Sequence, residues 1–243
     1  MPRYKTTIEY DGMKFYGWQR QEGVVSIQES IENALFQLCG KKILVEGAGR
    51  TDKGVHAIGQ VAHFDLEKDW NLYKLQKALN FFLTNVSILK IEKVCESFHA
   101  RFCAKKRSYC YRIVNRIGAL SIDHERAWHV LKELDVEKMQ NAAQDFLGFH
   151  DFSAFRASAC QSKSPFKTLQ KANIEHLGEN IYIYFSAPSF LHNQVRIMVG
   201  TLKKIGEGSF PLSRIKEGLF QKDRTKMGPT APPYGLYLEN VEY

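Results

Sequence analysis

GAGRTDKGVHAIGQVAHF, Gly47 to Phe64, joins a glycine-punctuated loop to an alternating run, and its spacing decides which folds the chain can adopt. Counting from Gly49, a phosphate-binding P-loop requires Gly54 to be followed by Lys and then Ser or Thr, and Val55 and His56 stand there. A dinucleotide fingerprint starting at Gly47 and Gly49 requires glycine where Asp52 stands. Both nucleotide-binding α/β folds are excluded. After the loop, Val61, His63 and Asp65 alternate with Ala62, Phe64 and Leu66, the period of a strand. Within the loop, Asp52 lies between the cations Arg50 and Lys53. Neighbouring positive charge favours an ionised carboxylate, which is what a carboxylate nucleophile needs. Asp beside Gly is also ordinary turn chemistry, so the loop alone leaves both readings open.

Working outward, Tyr4 to Tyr10 reads as a half-buried strand with Tyr4, Thr6, Ile8 and Tyr10 on one face. Ser26 and Glu29 have the spacing of a capping box, and Ile27, Ile31, Ala34, Leu35 and Leu38 form an apolar stripe ending before Gly40. This predicts a helix. A strand is expected over Ile43 to Glu46, a second helix over Leu72 to Leu83 and a strand over Val86 to Val94. The second half repeats the grammar, with a strand around Tyr109, Tyr111 and Ile113 and a helix marked by Val136, Met139, Ala143, Phe146 and Leu147, closed by Gly148. Strands follow at Thr168 to His176 and Ile181 to Ala187, helices at Gln194 to Ile205 and Leu212 to Phe220, and a last strand at Tyr237 to Tyr243. Two successive β-α-β-type halves without a Pro/Ser-rich linker predict an α+β fold. The boundary falls near Ala104, giving halves 1–104 and 105–243.

The 243 residues are 44% hydrophobic and 25% charged, ordinary globular values. No apolar run approaches the roughly 18 to 20 residues needed to span a bilayer. The N-terminus MPRYKTTIEYDG shows neither a signal core nor a transit pattern, so a soluble cytoplasmic protein is expected. Five cysteines, Cys39, Cys95, Cys103, Cys110 and Cys160, form no CxxC pair, and the eight histidines form no HExxH. Reduced thiols, most of them buried, and no structural metal are expected. The net charge of +8 suits an anionic partner. Cations cluster at Lys105, Lys106, Arg107, Arg112 and Arg116, at Lys203 and Lys204, and at Lys222, Arg224 and Lys226. Interleaved with Tyr109, Tyr111, Tyr4, Tyr10 and Phe15, they suit a polyanion that also offers bases.

Six blocks resemble the bacterial tRNA pseudouridine synthase A family: EYDGMKFYGWQRQ (9–21), GAGRTDKGVHAIGQVAHF (47–64), FHARFCAKKRSYCYRI (98–113), DFSAFRA (151–157), FLHNQVRIMVGTL (190–202) and APPYGLYL (231–238). They keep the family's order and rough spacing over nearly the whole chain. One segment departs from the family pattern, NFFLTNVSIL at Asn80 to Leu89. The resemblance implies a pseudouridine synthase-like fold, with two ferredoxin/RRM-like halves around a mixed, largely antiparallel sheet with a central cleft. It also implies isomerisation of uridine to pseudouridine at positions 38, 39 and 40 of the tRNA anticodon stem-loop. That reaction breaks the base–sugar N–C bond, turns the uracil and joins C5 to the sugar, so no cofactor is implied. A homodimer is implied as well.

The family's catalytic aspartate matches Asp52, which attacks either the sugar C1′ or the base C6. Its active-site tyrosine matches Tyr109, which stacks on uracil and accepts the C5 proton; from the residues alone Tyr109 equally suits a core strand. Arg196 matches the ion-pair partner of the catalytic carboxylate. Arg50 matches the arginine that displaces the target base, since extruding a base from a stem costs a few kcal/mol and a guanidinium can both stack and hydrogen-bond. His56 and Gln60 either contact RNA or hold the loop. Lys105, Lys106 and Arg107 contact phosphates by this reading. The competing readings are a non-catalytic RNA-binding protein with two RRM-like halves, which lacks the aromatic RNP1 pattern, and a metal-dependent nuclease, for which carboxylates are not gathered around Asp52.

Overall fold

A computed structural model describes residues 1–158 and 160–243. The chain forms two compact units, Met1–Lys105 with Tyr237–Tyr243, and Lys106–Leu236. A division near Ala104 would leave the last strand with the second half; the compact units instead join Tyr237–Tyr243 to the first.

In the first unit β1 (Arg3–Tyr10), α1 (Ile27–Cys39), β2 (Glu46–Gly47), β3 (His56–Asp65), α2 (Leu72–Phe82) and β4 (Val86–Val94) follow a β-α-β-β-α-β order. β1 pairs antiparallel with β3 on one side and β4 on the other, and β2 pairs antiparallel with β3. The helix α1 forms where the capping box placed it: the Ser26 side chain accepts from the Glu29 N–H, and Gly40 closes the helix in the left-handed region at φ 69°. Its stripe of Ile27, Ile31, Ala34 and Leu35 is buried, as are Leu75 and Leu79 of α2, which packs beside it. Tyr4, Thr6, Ile8 and Tyr10 of β1 are buried as the alternation predicts.

The strand expected over Ile43 to Glu46 shrinks to Glu46–Gly47. The reason lies on α1: Glu32 Oε1 accepts the Val45 N–H at 3.2 Å, and Gln28 Nε2 donates to the Val45 carbonyl at 3.1 Å. Two helix side chains take the backbone groups that a ladder would otherwise pair. β3 is buried on both faces from Gly59 to Phe64 and is paired along its edges with β1 and β2.

The second unit contains β5 (Lys106–Asn115), β6 (Trp128–Val130), α3 (Val136–Ala143), β7 (Gly148–Asp151), β8 (Phe166–Leu169), β9 (Lys171–Leu177), β10 (Asn180–Ala187), α4 (Gln194–Gly206) and α5 (Arg214–Gln221). β10 lies between β5 and β9, antiparallel to both, while β6 adds parallel to β5. The series β5-α3-β9-β10-α4 repeats β1-α1-β2-β3-α2, with the third strand of each series central to the other two. The strand expected over Thr168 to His176 is two strands broken at Gln170, because β8 turns to pair with β7. The helix expected to run to Leu147 ends at Ala143 and tightens into a 3-10 turn, Gln144–Phe146. Phe146, Phe152, Phe155 and Phe185 form its aromatic core, all at 0% exposure.

The last strand, β11 (Leu236–Glu242), aligns Tyr237 with His56 and Leu238 with Ala57 in parallel register on β3. The fold is therefore α+β, two sheet-helix halves with mixed, largely antiparallel pairing. Among the described residues no helix is long and apolar enough to cross a membrane. Of the five free cysteines only Cys110 and Cys160 are buried, whereas Cys95 and Cys103 are exposed in the turns after β4.

Candidate active site

The loop carrying Asp52 is held by side chains of the two paired strands β1 and β3. Tyr10, the last residue of β1, shares a buried hydrogen bond of 2.8 Å with the Thr51 hydroxyl. Gln60 of β3, at 0% exposure, donates to the Gly49 carbonyl at 3.0 Å and accepts the Val61 N–H at 3.1 Å. The Trp18 N–H also donates to the Thr51 carbonyl at 3.1 Å. The residues immediately before and at the start of the turn are thus fixed, and Asp52 itself is half-buried.

After Asp52 the chain reverses, with the Val55 N–H donating to the Asp52 carbonyl at 3.1 Å and Gly54 at φ +79°. Positive φ at the third position is the demand of a type II turn, which glycine meets without a Cβ clash. Gly17 serves a different need. A Cβ there would stand 2.6 Å from the Thr51 carbonyl oxygen, so the absence of a side chain lets the Tyr16–Trp18 segment lie against the loop.

The two cations that flank Asp52 in sequence are directed to other groups. Arg50 is exposed and donates through Nε to Gln19 Oε1 at 3.1 Å. The Lys53 ammonium sits 3.8 Å over the Tyr16 ring, a cation–π contact. His56 and Gln60, grouped in the sequence reading with the substrate-binding residues, are both inside the unit. His56 is 2% exposed, accepts the Gly12 N–H at Nδ1 and stacks on Tyr237 at 4.8 Å. Gln60 thus contacts the loop, and His56 contacts Gly12 and Tyr237.

In the second unit, β5 carries Tyr109 half-buried beside the Phe185 register position, its ring edge-on to Phe190 at 5.2 Å. Two residues on, Tyr111 is fully buried and donates its hydroxyl to the Pro232 carbonyl at 2.8 Å. Burial pushes the Tyr111 phenol well above its ordinary range, with Tyr234 adding to the rise and Arg196 opposing it. Tyr111 therefore stays a neutral donor that fixes the APPYG segment. Lys106 and Arg107 open β5, with Arg107 donating to the Pro188 carbonyl, while Lys105 lies in the first unit and its N–H donates to the Glu242 carbonyl.

Arg196 stands in the first turn of α4. Asn193, the residue before that helix, adopts φ 61° and accepts from Arg196 Nη1 at 2.8 Å, while Nε donates to the Ala231 carbonyl at 2.8 Å. The Ala231 N–H returns a bond to the Arg196 carbonyl. The guanidinium is thus aimed by two fixed acceptors. Sequence reasoning singled out Arg196 and Tyr109 but missed their holders Asn193, Ala231, Tyr111 and Pro232, as it missed Tyr10, Thr51 and Trp18 around Asp52. All lie within the six quoted blocks, and Tyr10 and Tyr111 also stood out as aromatics interleaved with the cations.

Among the described residues one cluster has the residue types of a metal site: Glu46, His63 and His99 bring their ligand atoms within 4.8 Å of one another. Their hydrogen bonds argue for another role. His63 Nδ1 accepts the Ala100 N–H at 3.3 Å, and His99 Nδ1 accepts the Arg101 N–H at 3.1 Å. Each neutral ring then carries its proton on Nε2, the nitrogen facing Glu46, at 3.9 Å for His63 and 3.0 Å for His99. Coordination through Nε2 would require the opposite tautomer, so the cluster reads as a carboxylate hydrogen-bonded to His99 with the His63 ring beside it.

Residues 7–103 and 142–243 match the family model described as tRNA pseudouridine synthase. The chain is 54% identical to tRNA pseudouridine synthase A of Ehrlichia canis (strain Jake), over 99% of this chain and 100% of that protein. It is 53% identical to tRNA pseudouridine synthase A of Anaplasma phagocytophilum (strain HZ), again over 99% and 100%. For tRNA pseudouridine synthase A of Brucella ovis the identity is 48%, over 100% of this chain and 98% of that protein. With its site loops held as described and similarity running from end to end, the chain belongs to the tRNA pseudouridine synthase family, isomerases that convert uridine to pseudouridine in tRNA.

Proposed function

We propose that the chain acts on uridines 38, 39 and 40 of the tRNA anticodon stem-loop, with Asp52 as nucleophile. The observation that carries this reading is the way Asp52 is held: the loop is pinned at the Gly49 carbonyl by Gln60 and at Thr51 by Tyr10 and Trp18, so its carboxylate is presented on a rigid support. In the reaction the N1–C1′ bond breaks and a C5–C1′ bond forms. The C5 proton leaves and N1 regains one, so no electrons or groups are exchanged with an external cofactor. Attack at C1′ and attack at C6 both require the same carboxylate.

Tyr109 is the residue that stacks on the uracil and takes the C5 proton, and Arg196 the ion-pair partner of the catalytic carboxylate. Arg50 fills the place of the displaced base; its exposure and its single tether to Gln19 suit a side chain that must reach into a stem. Lys105, Lys106 and Arg107 neutralise phosphates, which makes affinity fall with salt without selecting sequence. A homodimer working in the cytoplasm is part of the same reading. The decisive experiment is tritium release from 5-tritiated uridine in tRNA. Asp52→Asn keeps the side-chain shape, so it retains tRNA binding and loses release; undiminished release would remove Asp52 from the mechanism.

A further inference from the structure

The hairpin of β7 and β8 carries a pair of aromatic rings on its outer surface that the catalytic reading does not use. Phe149 is 68% exposed and Phe166 45% exposed, and their rings stack at 5.4 Å with only 14° between their planes. The register explains the alignment. Phe149 lies opposite Thr168, and Phe166 lies opposite Asp151, so the two rings are diagonal neighbours on one face. Two parallel rings of which the outer one is open to solvent form an unfinished stack.

The charges around the pair suit an anionic partner with flat rings. Asp151, on the same face, is neutralised by the Lys222 ammonium at 2.9 Å. Lys222 also begins the basic run that continues through Arg224 and Lys226. Lys163, three residues before Phe166, is exposed and has no carboxylate partner among the described residues. An apolar protein surface would match the rings but not the exposed ammonium of Lys163. An unpaired nucleotide matches both, with a base to extend the stack and a phosphate for an ammonium.

We propose that Phe149 and Phe166 form a stacking platform for an unpaired base of the tRNA substrate, with Lys163 contacting the adjoining phosphate. This rests on the tRNA-modifying reading above and adds to it a contact that holds the substrate and takes no part in the chemistry.

The test compares wild type, Phe149→Ala, Phe149→Leu and Phe149→Tyr as full chains, with an unmodified tRNA transcript as probe. Conversion of the transcript by the wild type tests the tRNA reading itself; the variants' affinities test the platform. Loss of one stacked base weakens binding about tenfold, or roughly 1.4 kcal/mol. Ala and Leu both show this loss while Tyr does not, and the loss appears in KM rather than kcat. Because stacking is not a counterion effect, the ratio to wild type stays constant as salt is raised, whereas Lys163→Ala flattens the salt dependence. Wild-type affinity in Phe149→Ala overturns the platform, and so does full restoration by Leu, which would reduce the contact to apolar packing. A changed sedimentation coefficient for Phe149→Ala with unaltered tRNA affinity also overturns it, by assigning the rings to a contact between copies of the chain.

Discussion

The hydroxyls of Tyr10 and Thr51 lie 2.8 Å apart, buried, and join the end of the first strand to the residue immediately before Asp52. Forty-one positions of chain separate them, so the bond fixes the loop by tertiary structure. Without it the Thr51 hydroxyl loses this tie, and its backbone carbonyl keeps the bond from the Trp18 N–H.

Tyr10→Phe removes one hydroxyl while keeping the ring. We expect about 1 kcal/mol of lost stability, the net worth of a typical hydrogen bond, and a fall in turnover of roughly tenfold because the carboxylate is less well positioned. The loss should lie in kcat, with KM for tRNA nearly unchanged. Unfolding curves and single-turnover rates on tRNA measure the two effects. A variant with normal turnover would show that the loop is set by its other supports.

Arg50 and Gln19 give a second prediction. If Arg50 replaces a displaced base, Arg50→Ala loses more turnover at a uridine paired in the stem than at one in the flexible loop, since only the stem requires stacking to be made good. Gln19→Ala, which frees the Arg50 Nε–H from its 3.1 Å acceptor, should shift the same preference in the same direction by a smaller amount. Mapping pseudouridine by position after partial reaction reads both. Equal losses at every position would count against the wedge.

The parts of this molecule that were legible in the sequence are those built from neighbouring residues. Ser26, Glu29, the apolar stripe and Gly40 all lie within fifteen positions, and α1 begins and ends where they say. The parts that were not legible depend on side chains arriving from elsewhere. Val45 gives up its strand because Glu32 and Gln28 reach it from α1, and the break at Gln170 follows from the pairing of β8 with β7. The same holds for the site. Asp52 and Arg196 stood out as charged residues in recognisable blocks, whereas Asn193 and Ala231, which aim Arg196, carry no local mark of that task. His56 and Gln60 have the chemistry of RNA contacts, and only burial reveals that they face inward.

Arg3 and Asp65 make stability depend on pH. Arg3 donates from Nε and Nη2 to the two Asp65 oxygens at 2.8 and 2.7 Å, and from Nη1 to the Glu96 and Phe98 carbonyls. The hydrogen bonds from Arg3 hold the Asp65 carboxyl below its ordinary value, against the opposing effect of burial. A depressed folded-state value means that the contribution is complete above the unfolded carboxyl's range, about pH 4, and is lost as pH falls through the folded value. Asp65→Asn should therefore be less stable than wild type at pH 7, by about 1 kcal/mol after allowance for partial exposure, and the difference should vanish in strong acid. Urea unfolding across that range checks it. A difference independent of pH would assign the cost to packing.

Asn80 supports the one segment that departs from the family pattern. It donates from Nδ2 to the Ile88 carbonyl at 2.9 Å and accepts the Ile88 N–H at 2.7 Å, closing the chain between α2 and β4. Gln76, one turn earlier, donates to the Ile88 and Leu89 carbonyls, both at 2.9 Å. β4 is the outer neighbour of β1, so these two helix side chains cover strand groups that would otherwise be open to pairing with another chain. Asn80→Ala leaves the Ile88 N–H without its partner, while the Ile88 carbonyl keeps Gln76, and should cost about 1 kcal/mol. Asn80→Asp keeps the acceptor and loses the donor, and should fall between the two. The exposed edge adds a second effect: on mild heating Asn80→Ala should scatter light at a lower temperature than its loss of stability alone accounts for. Asn80→Ala combined with Lys in place of Ser87, the preceding residue on β4, separates the two effects. The added charge should restore solubility on heating while leaving the urea midpoint at the Asn80→Ala value, and if solubility is not restored, the edge is covered by something other than Asn80.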